Sequence, residues 1–579
     1  MLRNISSHVP TWLRALVFYS VIAALTAGSH ALSHPKTVCA CVGTSDPVAY
    51  MWALSWWPHA ITHGLNPFVT HYLWSPTGVN VAQAAMIPTA AIVMAPITAL
   101  VGPVASYNIL SIASPALAAL TSYLLCRHLI RRELPAVAGG YLFGFGTYQF
   151  AALTGHLHVM LVFLFPVMVL LAMRRVDREL SRRAYMICAA LLFILQVGLS
   201  TELLAAGVGI GAVLLVAARF LAPSPQRSRI DSLMLETVGA GLIALVVLSP
   251  FFYYALFSGS FPKGPVGLSD AYGLDLLNPL FPTYATWLGN HDFLTLGLSY
   301  EGSNVTEADG YLSIAIVSAF MLWLLQNAPR RPLARFVGIA AGISFLAALG
   351  SHLHIAGQQT IALPFNWVKN LPVFNFMIPS RLVLFTSLAV AIGVAAWLAS
   401  PSRYAVTRWL VVIVGAVMIF PNLITPLYGV APSNPSFFAT STYRHYLSRD
   451  ETVLALPYGV SGVSMLWQVE TGFYFYMPEG YVSGAVPSPF NSQLIVGQLI
   501  GDTPPPPSEL WSFIRQHEVH HVVVDADDAG VWPSVLAQMG LHEQQIGGVL
   551  LYPVPPEPPT TRRASLDTTN RRRSTRSAG

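Results

Sequence analysis

Charge is what this chain has least of: only 10% of its 579 residues are Asp, Glu, Lys or Arg. A soluble domain carries about a quarter, so a wholly water-facing surface is excluded. Lysine is nearly missing, present only as Lys36, Lys263 and Lys369, an arginine bias associated with GC-rich bacterial genomes. No basic stretch is interleaved with aromatics. The net charge of +5 comes from arginines in short loops, so it reports topology and not a nucleic-acid partner. Cysteine is scarce too. Cys39 and Cys41 stand two apart while Cys126 and Cys188 lie in apolar runs, so the four make no metal-ligand pattern and are assigned no chemistry.

What is abundant is hydrophobic residues, 54% of the chain, falling in blocks near the roughly 20 residues that cross a bilayer. The first block, Trp12 to Leu32, follows Arg3 and Arg14 and lacks a small-residue cleavage site, so it reads as an uncleaved helix. Further spans are expected at Val104 to Ile130, Leu134 to Ala152, Leu157 to Met173, Ala184 to Leu199, Leu203 to Phe220 and Thr237 to Phe257. Four more are expected at Gly310 to Leu325, Leu333 to Leu349, Pro379 to Leu398 and Thr407 to Ile424. The stretch Met86 to Gly102 decides the topology. It holds Pro88 and Pro96, which weaken a spanning helix. Read as re-entrant, it leaves the arginine clusters at 127–132, 174–183, 219–229, 330–335 and 403–408 in the cytoplasm, as the positive-inside rule asks. The expected fold is an α-helical polytopic membrane protein of about eleven transmembrane helices plus one re-entrant segment.

Residues 1–427 form the expected transmembrane domain, with a first external loop at 33–103 and two long external loops at 258–309 and 351–378. Long loops without evident secondary structure are uncommon unless functional. Beyond Pro426 the apolar blocks shorten. Thr452 to Leu456, His521 to Asp525 and Val549 to Tyr552 read as strands, and Pro507 to His517 and Pro533 to Met539 as helices. This makes 428–556 an extracytoplasmic α/β domain, followed by a basic tail, 557–579, expected to be disordered.

The candidate chemistry lies on the outer face. Asp46, in Ser45-Asp46-Pro47, is a carboxylate beside an apolar surface, suited to take a proton from an attacking hydroxyl. The same dipeptide also serves as a helix start. Tyr50, Trp52, Trp57 and His59 follow it as a candidate wall for a sugar or lipid chain, or as an interfacial aromatic belt. His156 and His158 sit at an outer turn as substrate ligands or plain polar turn residues, and Glu202, at a break between apolar blocks, is similarly open. Arg381 is suited to a donor phosphate, with Lys263 and Lys369 as secondary cations, or it snorkels to the interface. Glu307 and Asp309 offer further carboxylates for substrate or a divalent cation, or a polar helix start. No metal site is assigned.

In this order of parts, the chain resembles the GT-C superfamily of polytopic membrane glycosyltransferases. The carrying stretches are Asp46-Pro47 through Trp57, His63-Gly-Leu-Asn-Pro67, Ser75-Pro-Thr-Gly78, Gly155-His-Leu-His158 and Ile378-Pro-Ser-Arg381. The resemblance implies sugar transfer from a polyprenyl-phosphate donor to a cell-envelope glycan or glycolipid acceptor outside the cytoplasmic (inner) membrane, with Asp46 as base. Many members carry paired acids in the first loop where this chain has one. The alternatives are a lipid or glycan transporter or flippase, and a non-catalytic scaffold with an external binding domain. A transporter is expected to place ionisable residues at mid-membrane, whereas the polar residues here gather at one face.

Overall fold

The computed structural model describes residues 9–258, 272–289, 293, 295, 307, 309–371, 374, 377–423, 428–482 and 486–556. Lys263, much of the first long outer loop, and the tail 557–579 lie outside the described residues. The chain is a multi-pass membrane protein built mainly of helices.

Five described helical stretches are long and apolar enough to cross a bilayer: Pro103–Ile130, Leu157–Val176, Thr201–Leu221, Ser224–Val247 and Pro379–Ala399. Five shorter apolar helices accompany them: Thr11–Thr26, Pro88–Val101, Ile314–Asn327, Pro332–Ala348 and Ala405–Met418. Pro379–Ala399 is the central one, 83% buried, whereas Thr201–Leu221 is 17% buried and faces outward.

Several expected spans are broken. Leu134 to Ala152 is two helices, Glu133–Gly144 and Thr147–Ala152. Gly144 lies so close to Pro115 and Ala119 that a Cβ there would stand 2.4 Å from their backbone atoms. The span expected from Thr237 starts earlier, at Ser224, ends at Val247, and resumes as Ser249–Phe257 with Pro250 in its first turn. The outer loop 351–378 has structure after all: a hairpin of His352–Ile355 with Gln358–Ala362, then one helical turn, Phe365–Val368.

The proline-bearing stretch is a 14-residue helix, Pro88–Val101, about 21 Å long at 1.5 Å per residue, too short for a core of about 30 Å. Gly102 then turns at φ 88°, a conformation that favours glycine, and Pro103 opens the next helix. This helix packs on Ser45–Thr62, whose Trp57 Nε1 donates to the Met86 carbonyl at 2.8 Å.

The C-terminal part holds a four-stranded sheet in the order Thr452–Leu456, Val519–Asp525, Val549–Pro553, Gln544–Ile546. The first pair is parallel and the others antiparallel. Helices Pro507–Gln516 and Trp532–Gln538 accompany it. Gln544–Ile546 was not expected, being short and polar. One hydrophobic cluster joins this layer to the first external loop, through Trp52, Trp56, Trp74, Trp467, Phe473 and Val522 among others. The two parts therefore share a core.

Candidate active site

Helix Ser45–Thr62 begins just after Cys39 and Cys41, which are disulfide-bonded to each other. This corrects the reading that gave them no chemistry: two residues apart in the chain, their Cα atoms stand 5.3 Å from each other, within disulfide reach. The Cys39 backbone also pairs with Val430. Asp46 lies in the helix's first turn, where the helix dipole favours a negative charge. Tyr50 is one turn later on the same face.

That face meets the turn carrying Gly155-His-Leu-His158. His156 Nε2 stands 3.0 Å from Asp46 Oδ2, and His158 Nδ1 is 2.6 Å from the Tyr50 hydroxyl. Behind the histidines are two acids. Glu307 Oε1 is 3.4 Å from His156 Nδ1, and Glu202 Oε2 is 3.8 Å from His158 Nε2. Arg381 closes the circuit. It donates from Nε and Nη2 to Glu307 at 3.1 and 2.6 Å, and from Nη1 to Glu202 at 2.7 Å. Glu202 also accepts the Ile378 N–H at 3.0 Å, fixing the start of the Arg381 helix. Asp46, His156, Glu307, Arg381, Glu202, His158 and Tyr50 thus form one series of contacts, closed into a ring by the helix Ser45–Thr62 that carries both its ends.

The ring is graded in exposure. Arg381 and Glu307 side chains are 7% and 3% exposed, whereas Asp46 is 27% exposed and forms the open end. Two carboxylates, Glu202 and Glu307, share one guanidinium. Burial pushes the Asp46 carboxyl up, but the hydrogen bond and charge of His156, with a hydrogen bond from Tyr481, hold it below the usual aspartate value. It is therefore ionised at neutral pH and able to accept a proton. Asp309 is buried, its Oδ1 without a partner among the described residues, and burial followed by the Glu307 charge raises its carboxyl well above the usual range.

Other candidates lie elsewhere. Trp52 Nε1 donates to Gln468 Oε1 at 2.8 Å and its ring stacks on Trp56, inside the shared core. His59 sits between His63 and Phe473, and burial, with His63 and Arg449 nearby, lowers its pKa to about 4. Lys369 is half-buried at the end of Phe365–Val368 on the outer loop. Among the described residues, the one three-residue group with metal-ligand spacing is His128, Asp177 and Glu179, at the arginine-rich ends of their helices. Sequence reasoning left Glu202 open, although an acid interrupting an apolar block was the available signal. Tyr481 gave none.

No family model matches the chain, and no curated protein matches it. Among solved structures it is similar to arabinofuranosyltransferase AftD from Mycobacteria, with a TM-score of 0.58 at 14% identity, covering 93% of this chain and 40% of that one. The chain has a GT-C fold. It spans about two fifths of AftD's length. Two weaker likenesses to GT-C proteins also cover 93% of this chain. One is archaeal oligosaccharyltransferase AglB from Archaeoglobus fulgidus, at TM-score 0.44, 15% identity and 74% of that chain. The other is ArnT from Cupriavidus metallidurans, bound to undecaprenyl phosphate, at 0.43, 10% and 97%.

Proposed function

We propose that this chain is a membrane glycosyltransferase that moves a sugar from a polyprenyl-phosphate-linked donor to a cell-envelope acceptor on the extracytoplasmic face, with Asp46 as general base. The observation that carries the reading is the Asp46 carboxylate, ionised and partly open, held by His156 at the mouth of a buried ring of charge. Asp46 takes the proton of the acceptor hydroxyl as that oxygen bonds the anomeric carbon. The bond from that carbon to the phosphate oxygen breaks, and the lipid phosphate leaves with the electron pair. His156 keeps the carboxylate in place, and Glu307, gripped by Arg381, stands behind His156.

The leaving phosphate needs a cation. Arg381 is the guanidinium of the ring and takes this role by sharing N–H groups now given to Glu202 and Glu307. Lys263 and Lys369 of the outer loops are the secondary cations. Trp52 and Trp57 are occupied in packing, so we assign them to holding the Asp46 helix. The disulfide supports the orientation, since such bonds persist in oxidising compartments.

The test is the envelope glycan and glycolipid profile of a strain lacking the protein, complemented with wild type or Asp46→Asn at matched membrane levels. Asparagine keeps the shape and removes the base. Wild type is expected to restore a missing product and the variant to make about 10²- to 10⁴-fold less. Full restoration by the variant overturns Asp46 as base.

A further inference from the structure

A guanidinium that turns to a donor phosphate must let go of something. Arg381 Nη1 donates to Glu202 Oε2 at 2.7 Å, and a largely buried carboxylate that loses a donor is costly. A second donor is already placed at that oxygen. His158 Nε2 stands 3.8 Å from Glu202 Oε2, an excess of under about 1 Å over a normal hydrogen bond. Glu202 Oε1 meanwhile keeps the Ile378 N–H at 3.0 Å, which gives the carboxylate a fixed pivot. Which nitrogen of His158 carries the proton is set on the other side of the ring. The Tyr50 hydroxyl lies 2.6 Å from His158 Nδ1, and the two rings stack with centroids 5.8 Å apart. A phenol that donates to Nδ1 makes that nitrogen the acceptor and leaves the proton on Nε2, facing Glu202. The turn that presents the imidazole is pinned from two other helices. The Ser114 hydroxyl donates to the Met160 carbonyl at 2.6 Å, and the Tyr148 hydroxyl to the Val159 carbonyl at 2.9 Å.

We propose that Tyr50 and His158 are positioning residues for the donor phosphate: the Tyr50 phenol fixes the His158 proton on Nε2, and that N–H takes over Glu202 Oε2 when Arg381 Nη1 turns to the phosphate. The inference rests on Arg381 as the phosphate ligand. No proton changes hands, because Glu202 exchanges one donor for another. The helix Ser45–Thr62 thereby serves both ends of the transfer, presenting the base at Asp46 and, one turn later, steadying the phosphate cation through Tyr50.

The tautomer is read directly from the purified full chain in nanodiscs, labelled with nitrogen-15 histidine, in buffer alkaline enough to keep an ordinary imidazole neutral. The signal that vanishes in His158→Gln belongs to His158. Its proton is expected on Nε2 in the wild type and divided between the two nitrogens in Tyr50→Phe. The exchange of donors is read from glycan restored in the deletion strain at matched membrane levels. His158→Gln, whose amide nitrogen reaches the place of Nε2, is expected to restore glycan to within about threefold of wild type. His158→Asn, one bond shorter, is expected to restore about ten- to a hundredfold less. A proton on Nδ1 in the wild type, a spectrum unmoved by Tyr50→Phe, or no difference between His158→Gln and His158→Asn overturns the proposal. Undiminished glycan from Arg381→Gln overturns the phosphate reading instead, whatever the His158 spectrum shows.

Discussion

Glu479 lies two residues before Tyr481, wholly buried, with Oε2 accepting the Gly459 N–H at 2.7 Å. Burial pushes its carboxyl up to about 8 against an ordinary 4.5, the Gly459 bond offsetting only part of the effect. Between those values the unfolded chain releases the proton and the folded chain keeps it. Stability is therefore full below about pH 4.5 and declines as pH rises through about 8, by at most about 1.4 kcal/mol per pH unit. Thermal unfolding of the purified chain is expected at lower temperature at pH 9 than at pH 6, with Glu479→Gln flattening that difference. Most ring residues were legible one at a time, because each is a polar group among apolar neighbours. Their partnership was not. Arg381 reads as an open phosphate ligand until Glu202 and Glu307 are seen on its guanidinium, and no local pattern announces a contact between residues so far apart. Tyr481 is one of 23 tyrosines, and nothing in its neighbourhood separates it from the rest.

At the scale of elements, Ser45–Thr62 is the hinge of the design. One face carries Asp46 and Tyr50 to the histidines, and another carries Trp52 and Trp56 into the C-terminal layer against Phe473. Trp52→Ala removes both the ring packing and the bond to Gln468, at about 3–5 kcal/mol for a buried large-to-small change. Limited proteolysis is expected to cut the layer beyond Gly429 faster in this variant, with glycan restoration falling alongside although Trp52 is outside the ring. Unchanged cleavage would show that the layer is held by other contacts. Hydrophobic runs revealed that helices exist, but not where they break. The breaks fall at Phe145–Gly146 and just before Pro250, which opens the next helix, and run-counting passes over both. The 352–362 hairpin was hidden by its exposed, polar second strand, Gln358–Ala362.

For the whole molecule, the positive-inside rule applied to the arginine clusters, with the short Pro88–Val101 helix not crossing, predicts the ring outside and the clusters inside. Single cysteines at Ser228 and Ser508, in a background lacking Cys188, provide the check. A membrane-impermeant maleimide applied to intact spheroplasts is expected to label position 508 at once and position 228 only after permeabilisation. The reverse pattern would invert the topology. Side preference is an expectation drawn from charge alone, and the labelling experiment tests it. The number of crossings was less so, since described apolar helices as short as 14 residues accompany the long ones. In the C-terminal part, strands Thr452–Leu456, Val519–Asp525 and Val549–Pro553 were read to within two residues, because buried strands bounded by turns give a clear signal, whereas Gln544–Ile546 and helices Ser464–Glu470 and Leu494–Ile500 were missed.

The ring also sets an order of events during synthesis. Asp46 emerges from the ribosome early, whereas Arg381 follows only after more than half the chain has been made. At about 5–20 residues per second the interval is on the order of tens of seconds. Through that interval Glu202 stands without its cation, and Asp46 lacks the Arg381–Glu307 clamp behind His156. A nascent or truncated chain therefore holds the carboxylate without the assembly that aims it.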